Sequence, residues 1–362
     1  MATKPIEKDT HAFVTGNEVV AWAALAADAQ IMYGYPITPQ NEIMRYWTRL
    51  APKYDRKFLQ TEDELSAGFT TCGGVLTGTR SFTATAGPGT ILMQEPITMA
   101  EMMRIPIVVV VQQRGGPSTA TVIYSQQEAR MCCYGGNGEG FRVVYSSSSH
   151  QDLYDFTIKA FNTAWKYRFP TIVLGDGYQA KMREAVTMYD PASRGISMVE
   201  TEQFLGAPGL PGTDREPHFH KNTYNTEEEL LEVVNKLKED YDAVRAEIEE
   251  HECEYIDDAE IVIVGHGVVS RAVKEAVKLL RKEGYKAGYF RPITLRPFPG
   301  TALRKAVEGK KDIVVVESAL GQLKQFMTEE LYGCTVPITG YFKPGKGVSS
   351  AEIVEKVKSM TK

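Results

Sequence analysis

Runs of β-branched residues alternate with amphipathic stretches through the first half of the chain. The segment IPIVVVVQQRGGPST, residues 105–119, opens apolar without polar alternation, the pattern of a strand buried on both faces of a parallel sheet. FPTIVLGDG, residues 169–177, repeats that pattern, and DLYDFTIKAFNTAWKYR, residues 152–168, reads as the helix before it. Gly16 to Ala29 predicts a helix with Ala, Val, Leu and Trp22 on its buried side. Asp63 to Cys72 predicts another, leading into Gly73-Gly74. RSFTATAGPG, residues 80–89, begins as a strand and ends in a loop that opens a helix around Ile91–Met103. Repeated strand–helix units predict a doubly wound α/β domain over residues 1–190.

The periodicity vanishes between Pro191 and Tyr224, where LGAPGLPGTDREPHFH concentrates Pro, Gly and His as a connecting loop does. Thr226 followed by Glu229 predicts a capping box. Leu230, Val234, Leu237, Tyr241, Val244 and Ile248 then fall on one helical face. Loop and amphipathic helix make a connecting segment, residues 191–253. Beyond it, AEIVIVGHG, VSRAVKEAVKLLRKEG with its glycine C-cap, YKAGYFRPI and KDIVVVES predict a second, smaller α/β domain over residues 254–362.

Composition narrows the setting. The 362 residues are 43% hydrophobic and 24% charged with a net charge of −5, ordinary for a globular protein and unsuited to nucleic acid or an anionic membrane. No apolar run approaches the ~20 residues of a membrane span, and the polar start MATKPIEKDT lacks the apolar core of a secretory signal. Five cysteines without a CxxC argue against a disulfide framework and for a cytoplasmic location. Their spacing also places any iron–sulfur cluster on another subunit.

Several stretches carry candidate chemistry. YGYPITPQ, residues 33–40, is stiffened by Pro36 and Pro39 and holds Thr38 as if against a ligand. In LQTEDELSAGFTTCGG, Glu62 and Asp63 suit helix capping. Glu64 is followed by Ser66, Ala67 and Gly68, small enough to admit a close neighbour. Gly87 and Gly89 sit at a strand-to-helix turn whose amides can meet a ligand. Arg114 ends the buried strand at the carboxyl edge of the sheet, where it suits either a structural ion pair or a small carboxylate substrate. GHGVVS, residues 265–270, lacks the third glycine of a dinucleotide turn and reads as structural. GDG, residues 175–177, is similar to the start of a diphosphate–magnesium motif. No asparagine follows in residues 178–221, so Asp176 reads as a strand-end turn.

GYPITPQ, EDELSAG, TATAGPG and VVQQRGGPST occur together and in this order. The set resembles the α subunit of the 2-oxoacid:ferredoxin oxidoreductases, thiamine diphosphate (ThDP) enzymes acting on pyruvate, 2-oxoglutarate or branched-chain 2-oxoacids. The likeness continues through RPITLRPFPG and VVVESALGQL in the second half. It implies a pyrimidine-binding ThDP domain followed by a transketolase C-terminal-like domain. A β partner is implied to carry the diphosphate–Mg²⁺ site and the [4Fe–4S] cluster, with possible γ and δ subunits. Glu64 matches the glutamate that hydrogen-bonds N1′ of the aminopyrimidine. Thr38 matches a threonine approaching the substrate carboxylate or carbonyl, and Arg114 an arginine binding that carboxylate. Tyr35, Pro36, Gly87 and Gly89 fall where the family lines the cofactor. The implied reaction is coenzyme A-dependent oxidative decarboxylation, with electrons passing to ferredoxin.

Departures from the pattern touch the substrate. After GGPST this chain reads ATVIYSQQEARMCCYGGNGEG: Asp-Leu is missing, Gln126 or Gln127 keeps the glutamine, and Asn137 stands for a histidine. Ala319 replaces an asparagine. Ile123 and Tyr124 are expected to contact the variable part of the substrate. Two other readings remain, a non-oxidative ThDP decarboxylase subunit and a non-catalytic scaffold; the joint presence of Thr38, Glu64 and Arg114 argues against the scaffold.

Overall fold

The computed structural model describes residues 5–206 and 220–360. A seven-stranded sheet forms its centre, in the order Thr294–Arg296, Val143–Ser146, Thr171–Asp176, Val108–Gln113, Ser81–Thr85, Ile31–Gly34, Lys57–Gln60. All neighbours are parallel except Thr294–Arg296, which runs antiparallel to Val143–Ser146. The VVVVQQ run of Val108–Gln113 is buried throughout because helices cover both faces of the sheet. Val108, Val110, Phe82 and Ala84 pack towards helices Gly16–Ala26 and His150–Tyr167. Val109, Val111, Ile172 and Leu174 pack the other way, with Ala67 and Ile97 of helices Glu64–Leu76 and Gln94–Met103.

A second sheet orders Ile338–Phe342, Asp312–Glu317, Ile261–Val264, Ala287–Pro292 and His251–Glu254, the last antiparallel. Thr10–Thr15 and Arg183–Met188 pair as a separate antiparallel ribbon. The fold is thus the expected α/β arrangement with a smaller α/β unit after it. The RPITLRPFPG stretch supplies an unexpected edge strand to the first sheet, where Ser146 N–H donates to the Ile293 carbonyl at 2.7 Å. Three residues with a register shift give periodicity too little to work on.

Two helices depart from their expected bounds for local reasons. Gly16–Ala26 stops short of Ala29 because Asp28 turns to φ +60° and Ala29 N–H bonds back to the Ala24 carbonyl. The helix expected around Ile91–Met103 is two helices, Pro88–Leu92 and Gln94–Met103. Pro96 has no N–H to give the preceding turn, so it is accommodated in the first turn of a new helix.

The connecting helix is Glu227–Ile248, capped by Thr226 Oγ1 accepting from Glu229 N at 3.2 Å. The box is displaced by one residue, since the Glu229 carboxylate accepts from Asn225 N. Leu237, Tyr241 and Ile248 are buried and Leu230 is exposed, so the C-terminal part carries the packing. The loop sequence LGAPGLPGTDREPHFH lies mostly outside the described residues. No helix among the described residues is long and apolar enough to cross a membrane.

Arg142 ties the connecting helix to the core. Its guanidinium is fully buried and bonds the Glu101 carboxylate, Gln94 Oε1 at 2.9 Å and the Gly135 carbonyl at 2.9 Å. Its own carbonyl accepts from Tyr241 Oη at 2.8 Å. Removing one partner of a buried pair strands the other charge at a cost of about 3–5 kcal/mol, whereas exposed pairs contribute about 0–1 kcal/mol. Glu101→Ala should therefore lower the thermal midpoint by many degrees in scanning fluorimetry. Asp242→Ala, which breaks an exposed pair with Lys238, should leave it nearly unmoved.

Candidate functional site

The carboxyl edge of the first sheet gathers Glu64, Gly87, Gly89, Arg114 and Thr38. Asp63 caps helix Glu64–Leu76, its Oδ1 accepting from Ser66 N at 2.7 Å, so Glu64 is the first helical residue. Gly68 has no room for a β-carbon against Pro96, which brings this helix close to Gln94–Met103. A β-carbon on Gly73 would meet no neighbouring element within 4 Å, and the tight glycine of the pair is Gly74, packed on Ser81 and Tyr33. Glu64 is buried at 4% exposure. Burial pushes its carboxyl above the usual range, its own backbone pulls it down, the Asp63 charge raises it and Arg114 lowers it.

The turn after Ser81–Thr85 has to be glycine at two places. Gly87 adopts φ +55°, ψ −121°, and a β-carbon there would collide with Arg114 Nε. A β-carbon on Gly89 would lie 2.5 Å from Glu64 Oε1 and would also strike Thr85 Oγ1. Thr85 Oγ1 and Arg114 Nε, on either side of the turn, are buried without a protein partner.

Arg114 follows Val108–Gln113 and is buried at 4% exposure; its Nη1 donates to the Thr38 carbonyl at 2.7 Å. The Y-P-I-T-P loop is pinned from both sides. Gln40 Nε2 donates to the Tyr35 carbonyl at 2.9 Å and Asn17 Nδ2 to the Pro39 carbonyl at 2.7 Å. Pro36 is exposed and Tyr35 half-buried. Thr38 thus meets Arg114 through its backbone.

A residue that sequence reasoning passed over sits beneath the site. Glu128 Oε1 accepts from Gly87 N at 2.9 Å and Arg114 N at 2.8 Å, and its Oε2 accepts from Thr90 Oγ1 at 2.5 Å. Burial raises its carboxyl, while the Thr90 hydroxyl, the two N–H groups and the Arg114 charge lower it. The available signal was that Glu128 is the one carboxylate between Arg114 and Glu139.

A family profile described as pyruvate flavodoxin/ferredoxin oxidoreductase, thiamine diphosphate-binding, matches residues 22–252, and one for pyruvate:ferredoxin oxidoreductase core domain II matches residues 259–347. This chain belongs to the 2-oxoacid:ferredoxin oxidoreductase family. It is 36% identical over 334 residues to the 2-oxoglutarate synthase subunit KorA of Methanothermobacter thermautotrophicus, covering 86% of this chain and 88% of that one. Identity is 34% to the ketoisovalerate oxidoreductase subunit VorB of Methanothermobacter marburgensis, over 86% and 87%. The solved 2-oxoglutarate:ferredoxin oxidoreductase from Magnetococcus marinus, with 2-oxoglutarate, coenzyme A and succinyl-CoA bound, superposes with a TM-score of 0.87 at 27% identity. That match covers 97% of this chain, which spans 65% of the longer one. A split-gene transketolase matches at a TM-score of 0.58 and 12% identity, a likeness of fold.

Within this α subunit of the 2-oxoacid:ferredoxin oxidoreductases, the other singled-out residues have surroundings of their own. Tyr124, expected at the substrate, is 4% exposed in the second unit's core and stacks on Tyr178 with centroids 4.4 Å apart. Its neighbour Ile123 is exposed. Asn137 is exposed on a glycine-rich loop. The GHGVVS turn is filled by the first domain: His266 Nδ1 pairs with Ser146 Oγ at 2.9 Å, and a β-carbon on Gly267 would approach Gln126 Nε2. Among the described residues, no group of three or more His, Cys, Asp or Glu is placed to hold a metal.

Asp176 is a strand-end cap, as its sequence context implied. Its Oδ1 accepts from Tyr178 N at 2.8 Å and Gln179 N at 3.1 Å at the start of Gly177–Lys181. Burial pushes its carboxyl from 3.8 to about 7 against those two bonds. An acid whose folded pKa is raised binds its proton more tightly folded than unfolded. Its contribution to stability is complete below the unfolded pKa and is lost as pH rises through about 7. Asp176→Asn, which keeps a capping oxygen without titrating, should therefore gain on wild type in thermal midpoint as pH goes from 5 to 8. A midpoint difference independent of pH would show that Asp176 is ionised throughout.

Proposed function

We propose that this chain forms the pyrimidine-binding, substrate-carboxylate side of a cytoplasmic, coenzyme A-dependent 2-oxoacid:ferredoxin oxidoreductase. The observation that carries this reading is the close approach of Glu64 Oε1 and Thr85 Oγ1 to Gly89, with the Arg114 guanidinium against Gly87 in the same turn. A buried carboxyl facing a β-carbon-free turn fits the aminopyrimidine of ThDP. An arginine with an unpartnered Nε fits a carboxylate. Asp176 is committed to capping, so the diphosphate–Mg²⁺ site is assigned to a β partner, as are the iron–sulfur clusters that deliver electrons to ferredoxin.

When bound, ThDP supplies the nucleophilic carbon and the electron sink that decarboxylation of a 2-oxoacid requires. This chain's own residues orient and protonate. Glu64, its carboxyl raised by burial, would hold the aminopyrimidine of that cofactor and carry a proton at its carboxyl there. Arg114, steadied by the Thr38 carbonyl, holds the substrate carboxylate so that the 2-oxo carbon faces the turn. Tyr35 and Pro36, in the same loop as Thr38, would complete the lining of the cofactor.

Glu64→Gln in the complex with the partner chains should reduce turnover by about 10²–10⁴-fold while assembly is retained. Turnover within twofold of wild type would assign the proton to another carboxylate.

Arg114→Ala should lower kcat/KM about ten- to hundredfold for every 2-oxoacid in a panel, the worth of one charged hydrogen bond. Lysine should restore only part of the loss, lacking the planar fork. Loss confined to one substrate would place Arg114 at the side chain rather than the shared carboxylate.

A further inference from the structure

The second α/β unit has no part in the chemistry assigned above, yet its strand ends reach directly into the segment that carries Glu128. Gln126 is 1% exposed and its amide is satisfied at both ends by that unit's backbone. Nε2 donates to the His266 carbonyl at 2.7 Å, and Oε1 accepts from Ser318 N at 2.8 Å. Its backbone N–H returns a bond to the Ser318 carbonyl at 3.1 Å. His266 follows strand Ile261–Val264 and Ser318 follows Asp312–Glu317, so one side chain spans two adjacent strand ends.

A second amide, contributed by that α/β unit, grips the same segment. Gln322, opening helix Gln322–Glu330, donates from Nε2 to the Gln127 carbonyl at 2.8 Å and accepts at Oε1 from Arg130 N at 2.8 Å. Its helix is anchored in turn by the buried Glu317 carboxylate, which accepts from Leu323 N at 3.0 Å. Glu128 lies between the two clasped positions. Two of its three hydrogen bonds go to the backbone of Gly87 and Arg114, the two residues that border the site. A displacement of Glu128 is therefore a displacement of both.

We propose that Gln126 and Glu128 are positioning residues through which the second α/β unit sets the place of Arg114. This rests on the reading of Arg114 as the ligand of the substrate carboxylate. An amide with its donor and acceptor both paired tolerates neither rotation nor sliding, because either leaves a buried polar atom unpaired. Placement of that strictness matters where a misplacement of about 1 Å can cost about 10²-fold in rate.

The test is Gln126→Glu in the complex with its partner chains. The change keeps the side chain's shape and its acceptor towards Ser318 N, but sets an oxygen against the His266 carbonyl. The expected result is a 2-oxoacid KM raised about tenfold or more, with kcat within about threefold. In an Arg114→Ala background the same change should add less than about twofold, since its effect runs through Arg114. Should Gln126→Glu fail to assemble, Gln322→Ala takes its place in the same cycle. Losses that multiply, or a fall in kcat and ThDP affinity at constant KM, would reduce the clasp to plain domain cement and overturn the proposal. If Arg114→Ala itself leaves KM unchanged, the carboxylate ligand is lost and the proposal with it. A raised KM in Arg114→Ala combined with independent losses removes the clasp alone.

Discussion

The turn from Thr85 to Thr90 passes so close to two charged side chains that no β-carbon fits at either of its glycines. Gly87 lies against the Arg114 guanidinium and Gly89 against the Glu64 carboxylate, whose Oε1 would be 2.5 Å from a β-carbon there. Each closeness is fixed from behind. The Asp63 cap starts the helix that carries Glu64, and the Val108–Gln113 strand, buried on both faces, delivers Arg114. Had either position carried a side chain, the carboxylate and the guanidinium would have been pushed apart, and the edge would hold two unrelated charges.

Bringing a carboxylate and an arginine out of water is costly, and here the cost is met by backbone dipoles more than by direct pairing. Arg114 uses Nη1 on the Thr38 carbonyl, while Glu128 beneath it takes two N–H groups and a hydroxyl. The loop that presents Thr38 is held by the buried amides of Gln40 and Asn17. Polar groups at the edge are thus oriented by long-range hydrogen bonds within rigid elements, the condition for a preorganised site.

That division explains what could be read from the chain. The strands were legible because VVVVQQ and TIVLGD are buried runs whose order along the sequence alone implies a parallel sheet. The glycines at 87 and 89, and Glu64 after an acidic cap, were legible because turn and cap chemistry are local. Glu128 was not, since its partners stand 14 to 41 residues away and nothing in QQEAR distinguishes it from a surface acid. The clasp by Gln126 spans 140 and 192 residues. The burial of Tyr124 was hidden for the same reason: it depends on a sheet formed by residues that follow it by more than a hundred positions. The split at Met93 could have been read from Pro96, while the edge strand at Thr294–Arg296 offered no period to read.

Four acids occupy this edge of the sheet, and their hydrogen bonds separate them. Asp63 is committed to Ser66 N, Asp176 to Tyr178 N and Gln179 N, and Glu128 to Gly87, Arg114 and Thr90. Each therefore holds backbone in place through its acceptor oxygens. Glu64 is pulled down only by its own backbone and by the charge of Arg114, and its Oε1 lies against the Gly89 turn. A proton can come and go there without disturbing the scaffold. The sequence motif names Glu64, but the physical reason for choosing it is that its three neighbours are already occupied.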